Sequence, residues 1–373
     1  MDFSFNEEQQ DLQGLAQQIL DAEVTHERLK EIEAGEDNFD RELWAKLADA
    51  GLLGIALPEA QGGGGYGFLE AAVVLEQLGR TVAPVPYLST VVLGALPIAQ
   101  FGSDEQRTRL LPGVATGERL LTAALVEAGA DPRRPVTTAR RGGDAWVLDG
   151  EKICVPDGPL ADHILVPAST DDGGVIVAIV NPDAGVTRER QRTTSGHPEA
   201  LLRLDGTRVA DADVLGGADH GAEVLDWTIE RGTAALCAVA IGVCEEALRM
   251  TAEYTKTREQ FERPIATFQA VGQRAADAYI DTEAIRLTAW QAIWRLAEGL
   301  PAAAEVAVAK FWAAEGGQRI VHAAQHLHGG MGVDRDYPLF RYFLLAKQLE
   351  LTLGGTTPQL LTLGRILVDE PAA

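Results

Sequence analysis

The sequence predicts an α+β multidomain protein in which helices, a β domain and a second set of helices follow one another along the chain. Three observations support this order. Apolar residues recur at helical spacing from Asn6 to about Gly117. Six short apolar runs separated by Gly, Asp and Pro follow between about 120 and 217, which is typical of a compact β domain. The helical pattern returns at about His220 and continues to Leu367.

The first domain is expected to be helical and to cover residues 1–118. Within it, the segment 51–67 contains four consecutive glycines. A loop that cradles phosphate would be followed by Lys and Ser or Thr and would lie between a strand and a helix. Because neither condition holds, we interpret this segment as a turn.

The second and third domains follow from the change in periodicity. Residues 119–219 are expected to form a β barrel or sandwich from the runs LLTAALVE, AWVLDG, DHILVPA, GVIVAIV, LLRLDG and ADVLGG. Residues 220–373 are expected to form a four-helix bundle, with long helical segments at 224–254, 267–296 and 301–326.

Composition narrows the class of function. The chain has 373 residues, 46% of them hydrophobic, and a formal net charge of -23, which disfavours binding to nucleic acid. The three cysteines, Cys154, Cys237 and Cys244, are too few for a disulfide framework and lack paired metal-ligand spacing. The first residues show no basic and apolar signal pattern, and no apolar run reaches the roughly 20 residues of a membrane span. We therefore expect a cytoplasmic protein without a membrane span.

Two segments of the C-terminal third carry a specific pattern. Residues 254–277 read YTKTREQFERPIATFQAVGQRAAD, and residues 325–359 contain two glycine turns that bracket a helical segment. Both resemble the acyl-CoA dehydrogenase family, and the likeness covers essentially the whole chain. The resemblance implies an FAD-dependent oxidoreductase of fatty acid metabolism that desaturates an acyl-CoA thioester between its α and β carbons.

The resemblance also implies which residues contact FAD. Arg258 is placed at the diphosphate, which its fork of donors fits, and several of these contacts reach the FAD of a neighbouring subunit. Gln325 and His326 compete for one position before the glycine pair. The expected cofactor-binding residues are Arg258, Gln260, Phe261, Gln269, Gln325, His326, Gly329, Gly330 and Thr356.

The sequence departs from the family pattern at several positions. Glu262 stands where the family has Gly, beside the expected diphosphate contact. Cys154 and Pro156 replace an aromatic residue and a Thr that lie next to the flavin ring in the family. Gly354 occupies the position of the catalytic Glu, so the usual base is missing.

Some members of the family carry the base on the helix that begins the C-terminal domain, next to an Arg. Glu230, beside Arg231, is the candidate we expect there, with Asp226 as a weaker one. The alternative is that Glu230 only interacts favourably with the N-terminal end of the helix dipole.

Three histidines could suggest a metal site. His322, His326 and His328 form an H-x3-H-x-H array, whose first pair lies on one helix face. Because no acidic ligand is close before Asp334 and the flavin pattern already explains the region, we expect no metal.

Three functions therefore compete, of which we expect the first and keep the other two as alternatives. The first is an active dehydrogenase that uses a relocated carboxylate on a medium, branched or ring-bearing acyl-CoA. The second is a catalytically silent subunit that shares FAD in a heterotetramer with a Glu-bearing homologue. The third is the same fold adapted to other flavin chemistry, including reaction on a carrier-bound acyl group. Expected partners are an acyl-CoA or carrier-bound acyl thioester, electron-transfer flavoprotein as acceptor, and further subunits in a homodimer, homotetramer or heterotetramer.

Overall fold

The structure is a computed structural model that describes residues 5–183 and 185–369. Within these residues, six α-helices precede the seven-stranded sheet and five follow it, which agrees with the predicted order of helices, sheet and helices. The helices are α1 (Glu7–Glu23), α2 (His26–Glu33), α3 (Arg41–Asp49), α4 (Phe68–Thr81), α5 (Leu96–Phe101), α6 (Asp104–Ala115), α7 (Gly221–Thr257), α8 (Gln269–Ala297), α9 (Ala303–His328), α10 (Leu339–Leu351) and α11 (Thr356–Asp369).

Seven strands between α6 and α7 form one curled sheet, and a short hairpin follows α7. The strands are β1 (Leu121–Ala123), β2 (Thr138–Arg141), β3 (Ala145–Pro156), β4 (His163–Thr170), β5 (Val175–Val180), β6 (Val186–Arg192), β7 (Pro198–Ala210), β8 (Glu259–Gln260) and β9 (Arg263–Pro264). The order in the sheet is β1-β4-β2-β3-β7-β6, with β5 paired to β4. The helix, sheet, helix prediction is confirmed.

Three details of the β region differ from the prediction, and one of them is β2, which lies outside every predicted run. The run ADVLGG is not a strand, because a short 3₁₀ turn at Asp211–Asp213 leads into a single bridge between Val214 and Ala178. Strand β6 was not predicted, because its sequence VTRERQR alternates charges instead of apolar residues. It pairs along its length with β7 at an edge of the sheet, where exposed charges discourage pairing with other chains.

The described chain divides into two compact units that do not coincide with the order of elements. One contains the residues up to Arg28, Ala72–Ala83 and those from Thr233 onwards; the other contains Leu29–Ala71 and Pro84–Gly232. The proposed domain boundaries after residues 118 and 219 stay a prediction. Among the described residues, no helix is both long and apolar enough to cross a membrane.

The helix starts follow from local sequence. Asn6 accepts a hydrogen bond from the backbone N–H of Gln9 at 2.8 Å, while the Gln9 side chain accepts from the backbone N–H of Asn6. Ser103 and Gln106 make the same reciprocal pair before α6. Each capping box satisfies two backbone donors that have no partner within the helix.

A π-helical segment, Leu88–Ala95, connects the N-terminal helices to the sheet. It is buried from Ser89 to its end, and its wider turns are rare in proteins. The hydroxyl of Thr90 donates to the carbonyl of Leu121 at 3.2 Å and accepts from the backbone N–H of that residue at 3.3 Å. Ser89 donates to Asp157 at 2.5 Å. The segment therefore holds the start of β1 and the end of β3.

The carboxyl group of Glu76 on α4 is buried beside α7 and α8. Burial, followed by the charge of Glu245, raises the pKa of Glu76 from an ordinary 4.5 to about 7, although Arg286 and a 3.1 Å hydrogen bond from the indole of Trp290 oppose the shift. The folded state therefore holds a proton that the unfolded state releases between these two values.

We expect the stability of the unmodified protein to fall as pH rises from about 4.5 through 7. Glu76→Gln removes this titration and keeps an acceptor for Trp290. The variant should therefore be more stable than the unmodified protein at pH 8, by on the order of 2 kcal/mol. Thermal unfolding at pH 5 and pH 8 measures the effect, and a Tm difference that does not change with pH would contradict it.

Candidate functional site

The predicted diphosphate contact lies at the end of α7, on an exposed hairpin. The backbone N–H of Arg258 donates to the carbonyl of Tyr254 at 2.8 Å, and the carbonyl of Arg258 accepts from Ile265 at 2.8 Å. Within the described part of the chain, the guanidinium of Arg258 has no hydrogen bond or ion pair. An exposed cation held by its backbone and left without a protein partner suits a phosphate ligand.

The turn of this hairpin is strained. Phe261 and Glu262 have φ of +53° and +63°, a region that L-residues occupy at a cost and glycine occupies freely. This explains why a glycine is usual at position 262. The Phe261 side chain is 87% exposed and touches the ring of Phe268 edge-on, with centroids 6.2 Å apart. Gln260 is also exposed, and its amide donates to the carbonyl of Glu259.

Gln269 is the first residue of α8 and is exposed to solvent. Phe268, which precedes it, lies under the guanidinium of Arg263 at 4.2 Å. The structure therefore places Gln269 in the same exposed region of the chain as Arg258, Gln260 and Phe261.

The two glycines that follow α9 combine a positive φ at the first with open space at the second. Gly329 has φ of +58°. At Gly330, an added Cβ would meet no described atom within 4 Å, so packing within the chain does not require glycine there. Gln325 lies against Gly332, whereas His326 is exposed and contacts Arg274. An open glycine surface of this kind leaves room for a ligand to approach the backbone.

The three histidines of the array have three different partners. His322 lies edge-on to Phe343, with ring centroids 4.9 Å apart, and His326 contacts Arg274. His328 is buried, and its Nδ1 lies 2.8 Å from the carbonyl of Ala324. Among the described residues, no group of three or more His, Cys, Asp or Glu side chains could hold a metal ion.

The second glycine turn, between α10 and α11, is anchored from several sides. Gly354 has φ of +93°. The amide of Gln359 donates to the carbonyls of Leu353 and Gly354 at 3.0 and 3.3 Å. After the turn, the hydroxyl of Thr356 donates to Glu315 at 3.3 Å. The turn is therefore rigidly built around a residue without a side chain.

Lys310 on α9 holds the chain just before this turn, and the sequence prediction missed it. Its amine is fully buried and donates to the carbonyls of Leu349 and Glu350 at 2.7 and 3.0 Å. Burial lowers the pKa of Lys310 to about 8. Lys310 occurs at the same helical phase as the buried Val306 and Ala314, and that signal could have identified it.

Strand β3, in the unit that contains the sheet, has a bulge near Cys154 and Pro156. These residues replace the aromatic residue and the Thr expected next to the flavin. The register with β7 shifts between Lys152 and Val155, and Cys154 and Asp157 have φ of +50° and +52°. A bulge changes the direction of side chains. Burial raises the pKa of Asp157 to about 6, and the hydrogen bond from Ser89 opposes this shift.

A buried ion pair supports the same strand. Lys152 donates to Glu127 at 2.6 Å, and the two side chains are 0% and 3% exposed. Glu127 also accepts from the backbone N–H and the hydroxyl of Thr137. Burial would raise the pKa of Glu127, but these hydrogen bonds and the charge of Lys152 hold it below its usual range.

The candidate base Glu230 is half-buried in the third turn of α7. Burial raises its pKa, against the charges of Arg133 and Arg231. Helix α7 begins at Gly221, so Glu230 lies beyond its first turn. The helix dipole stabilises a carboxylate mainly within that first turn. Asp226 is exposed and forms an ion pair with Arg133 at 3.0 Å.

Comparison with protein families decides the classification. Residues 6–118 match the N-terminal domain of acyl-CoA dehydrogenase, residues 126–204 its middle domain and residues 219–368 its C-terminal domain. The chain belongs to the acyl-CoA dehydrogenase family. This acyl-CoA dehydrogenase is an FAD-dependent oxidoreductase, and the predicted family, fold, activity and cofactor are confirmed.

Curated relatives match over the full length. The chain is 46% identical to acyl-CoA dehydrogenase FadE27 of Mycobacterium tuberculosis, with 100% of both proteins covered. It is 37% identical to acyl-CoA dehydrogenase FadE28 of the same organism, with 98% of both covered.

Solved structures also match the chain over nearly its full length. A chain of the ChsE4-ChsE5 complex from Mycobacterium tuberculosis is 47% identical with a TM-score of 0.95, and 100% of both chains is covered. A chain of a steroid ACAD, Tcur3481-Tcur3483, is 48% identical with a TM-score of 0.91, and 97% of this chain and 98% of that chain are covered.

The residues present fit FAD. The unpaired guanidinium of Arg258, the exposed ring of Phe261 and the open backbone at Gly330 offer a cation, an aromatic surface and a close approach. These are the groups that a diphosphate and an adenine ring require. The individual contacts of the predicted site residues, and Glu230 as base, stay predictions.

Proposed function

We propose that this acyl-CoA dehydrogenase works as one subunit of a mixed assembly, in which a homologous chain supplies the catalytic carboxylate. The observation that carries the proposal is Gly354, which occupies the usual position of the base and has no side chain. The reaction needs a carboxylate within hydrogen-bond reach of the substrate α carbon.

The turn around Gly354 is not arranged to accept a carboxylate. An added Cβ would lie 3.2 Å from Pro358 Cβ and 3.2 Å from Gln359 Nε2, and φ of +93° would be strained for any L-residue. Because Gln359 also binds the carbonyl of Gly354, neighbouring residues fit the glycine. A simple return to Glu at this position would disturb them.

The similar proteins support a mixed assembly and a bulky substrate. Two of the similar solved structures carry paired names, ChsE4-ChsE5 and Tcur3481-Tcur3483, and the second is described as a steroid ACAD. We infer a ring-bearing acyl-CoA as substrate, a cytoplasmic location and electron-transfer flavoprotein as acceptor. A chain 30% identical to this one comes from a study of the electron transferring flavoprotein of Acidaminococcus fermentans.

Within this proposal, the chain's own residues bind and orient the cofactor. Arg258 would neutralise the diphosphate, and Gln260, Phe261 and Gln269 would hold the adenosine. The turns at Gly329–Gly330 and Thr356 offer backbone and hydroxyl groups to the cofactor. When bound, FAD supplies the acceptor for the hydride that leaves the β carbon.

A self-sufficient dehydrogenase is the second candidate, and Glu230 favours it. A half-buried carboxyl with a raised pKa, flanked by Arg133 and Arg231, has the properties of a general base. In this case Glu230 takes the α proton within a homo-oligomer.

One experiment separates the two functions. The chain is purified alone and together with a Glu-bearing homologue, and each sample is titrated anaerobically with a panel of acyl-CoAs while the flavin absorbance is recorded. We expect bleaching in the mixed sample and none with the chain alone. Glu230→Gln in the mixed assembly should leave bleaching intact, as should the control Asp226→Asn.

The opposite pattern would establish the second candidate. Bleaching by the chain alone, abolished by Glu230→Gln and retained by Asp226→Asn, would reject the mixed assembly as the source of the base. Analytical ultracentrifugation of the same samples reports whether two different chains are present.

A further inference from the structure

Three aromatic side chains pack together behind the predicted FAD contacts. The rings of Tyr254 and His328 stack with centroids 4.3 Å apart and an interplanar angle of 24°. Tyr337 lies beside both, with its ring centroid 5.2 Å from that of His328 and 6.4 Å from that of Tyr254. We call these residues the Tyr254-His328-Tyr337 cluster.

The hydrogen bonds of the cluster define the state of His328. Its Nδ1 lies 2.8 Å from the carbonyl of Ala324, and a carbonyl can only accept, so Nδ1 carries the hydrogen. Burial lowers the pKa of His328, so the ring is neutral and Nε2 accepts. The hydroxyl of Tyr337, 3.1 Å from Nε2, is then the donor. Each polar group of the ring has one defined partner.

The cluster joins two segments that are distant in sequence. The hydroxyl of Tyr254 donates to the carbonyl of His328 at 3.3 Å, and that carbonyl belongs to the peptide that leads into Gly329. The carbonyl of Tyr254 in turn accepts from the backbone N–H of Arg258 at 2.8 Å. A single tyrosine therefore binds both the residue that precedes the glycine pair and the backbone of the arginine.

We propose that the Tyr254-His328-Tyr337 cluster positions Arg258 relative to Gly329 and Gly330, so that the chain presents both segments to one FAD molecule. The proposal rests on the FAD contacts assumed in the proposed function. None of the three cluster residues needs to touch FAD, because each acts through another residue of the chain: Tyr254 through the carbonyl of His328, His328 through the carbonyl of Ala324, and Tyr337 through the ring of His328. Two rigid segments held at a fixed spacing bind a long ligand more tightly than two mobile ones.

The test measures FAD affinity after single hydroxyl groups are removed. The FAD-containing assembly is stripped of FAD and titrated with FAD, and flavin fluorescence gives Kd. Tyr254→Phe and Tyr337→Phe each remove one hydrogen bond and keep the ring. We expect each to raise the Kd for FAD about 5- to 10-fold. Saturating FAD should restore bleaching by acyl-CoA, because the residues position the cofactor and do not react.

Tyr342→Phe is the matched control. Tyr342 is buried, its hydroxyl donates to the carbonyl of Arg80 at 2.8 Å, and neither residue is among the expected cofactor contacts. It should lower Tm to a similar extent as Tyr254→Phe and leave the Kd for FAD within about twofold. The double variant of Tyr254 and Tyr337 should raise Kd by less than the product of the single effects, because the two hydroxyls support one unit.

Two results would overturn the proposal. One is an unchanged Kd for FAD in both Tyr254→Phe and Tyr337→Phe; the other is an equal rise of Kd in Tyr342→Phe. If Tyr254→Phe does not fold, Tyr337→Phe and its control still decide the question. If a homologous chain does not supply the base, this test is still valid, because Kd is measured by FAD binding and not by turnover.

Discussion

Lys152→Met is expected to lower the free energy of unfolding of the sheet-containing unit by about 3 to 5 kcal/mol. The substitution leaves the carboxyl of Glu127, 3% exposed, without the cation that lies 2.6 Å away. Thr137 and Val136 still donate to Glu127, but no charge compensates it. Urea unfolding followed by near-UV circular dichroism measures the loss.

Two further variants make this prediction specific. Arg203→Met breaks ion pairs with Glu151 and Glu189 whose side chains are about half exposed, and it should cost less than about 1 kcal/mol. Adding Glu127→Gln to Lys152→Met should recover part of the stability, because the remaining buried group is neutral. Equal losses for Lys152→Met and Arg203→Met would show that burial of the pair does not matter.

Gly242→Ala is expected to destabilise the helical unit by about 3 kcal/mol or more. A Cβ on Gly242 of α7 would overlap the carbonyl of Glu76 and the backbone nitrogen of Arg80 on α4. A Cβ on Gly79 of α4 would likewise overlap the backbone carbonyl of Val239 on α7, so the backbones of the two helices are in contact. Backbone atoms inside a helix cannot yield separately, and the helices would have to move apart. Differential scanning calorimetry measures the change.

Gly14→Ala is the control for the glycine prediction. Gly14 lies within α1, and a Cβ there would meet no described atom within 4 Å. The substitution should stabilise the protein by about 0.5 to 1 kcal/mol, because alanine is the better helix former. A similar loss for both variants would mean that helix contact does not explain the glycine at position 242.

The periodicity of the sequence was sufficient for the fold, because each helix and most strands carry a pattern that depends on near neighbours. It failed at β2, whose sequence TARR has one buried apolar residue, and at β6, which has an alternation of charges and only one partly buried apolar residue, Val186. It failed again at Val214, where an apolar run makes one bridge and no strand. Edge strands are defined by pairing with distant residues, which sequence spacing does not show.

The candidate site was predictable where a motif carried it. Arg258 and the glycine turns follow from local sequence, and the structure places Arg258, Gly329 and Gly330 on exposed turns. The groups that hold these turns were missed, since Lys310 and the Tyr254-His328-Tyr337 cluster act through contacts between segments far apart in the chain. The sequence spacing of the three histidines suggested a shared metal site, whereas in the structure each histidine contacts a different partner.

The π-helical segment Leu88–Ala95 restricts the number of residues in this part of the chain as well as their identity. Successive residues of a helix point in different directions, so the deletion of one residue from this segment would turn the side chains next to it away from their present partners. Ser89 would lose Asp157, even though every remaining amino acid was unchanged. An insertion or deletion here would break the contacts of Ser89 with Asp157 and of Thr90 with Leu121 in a single step.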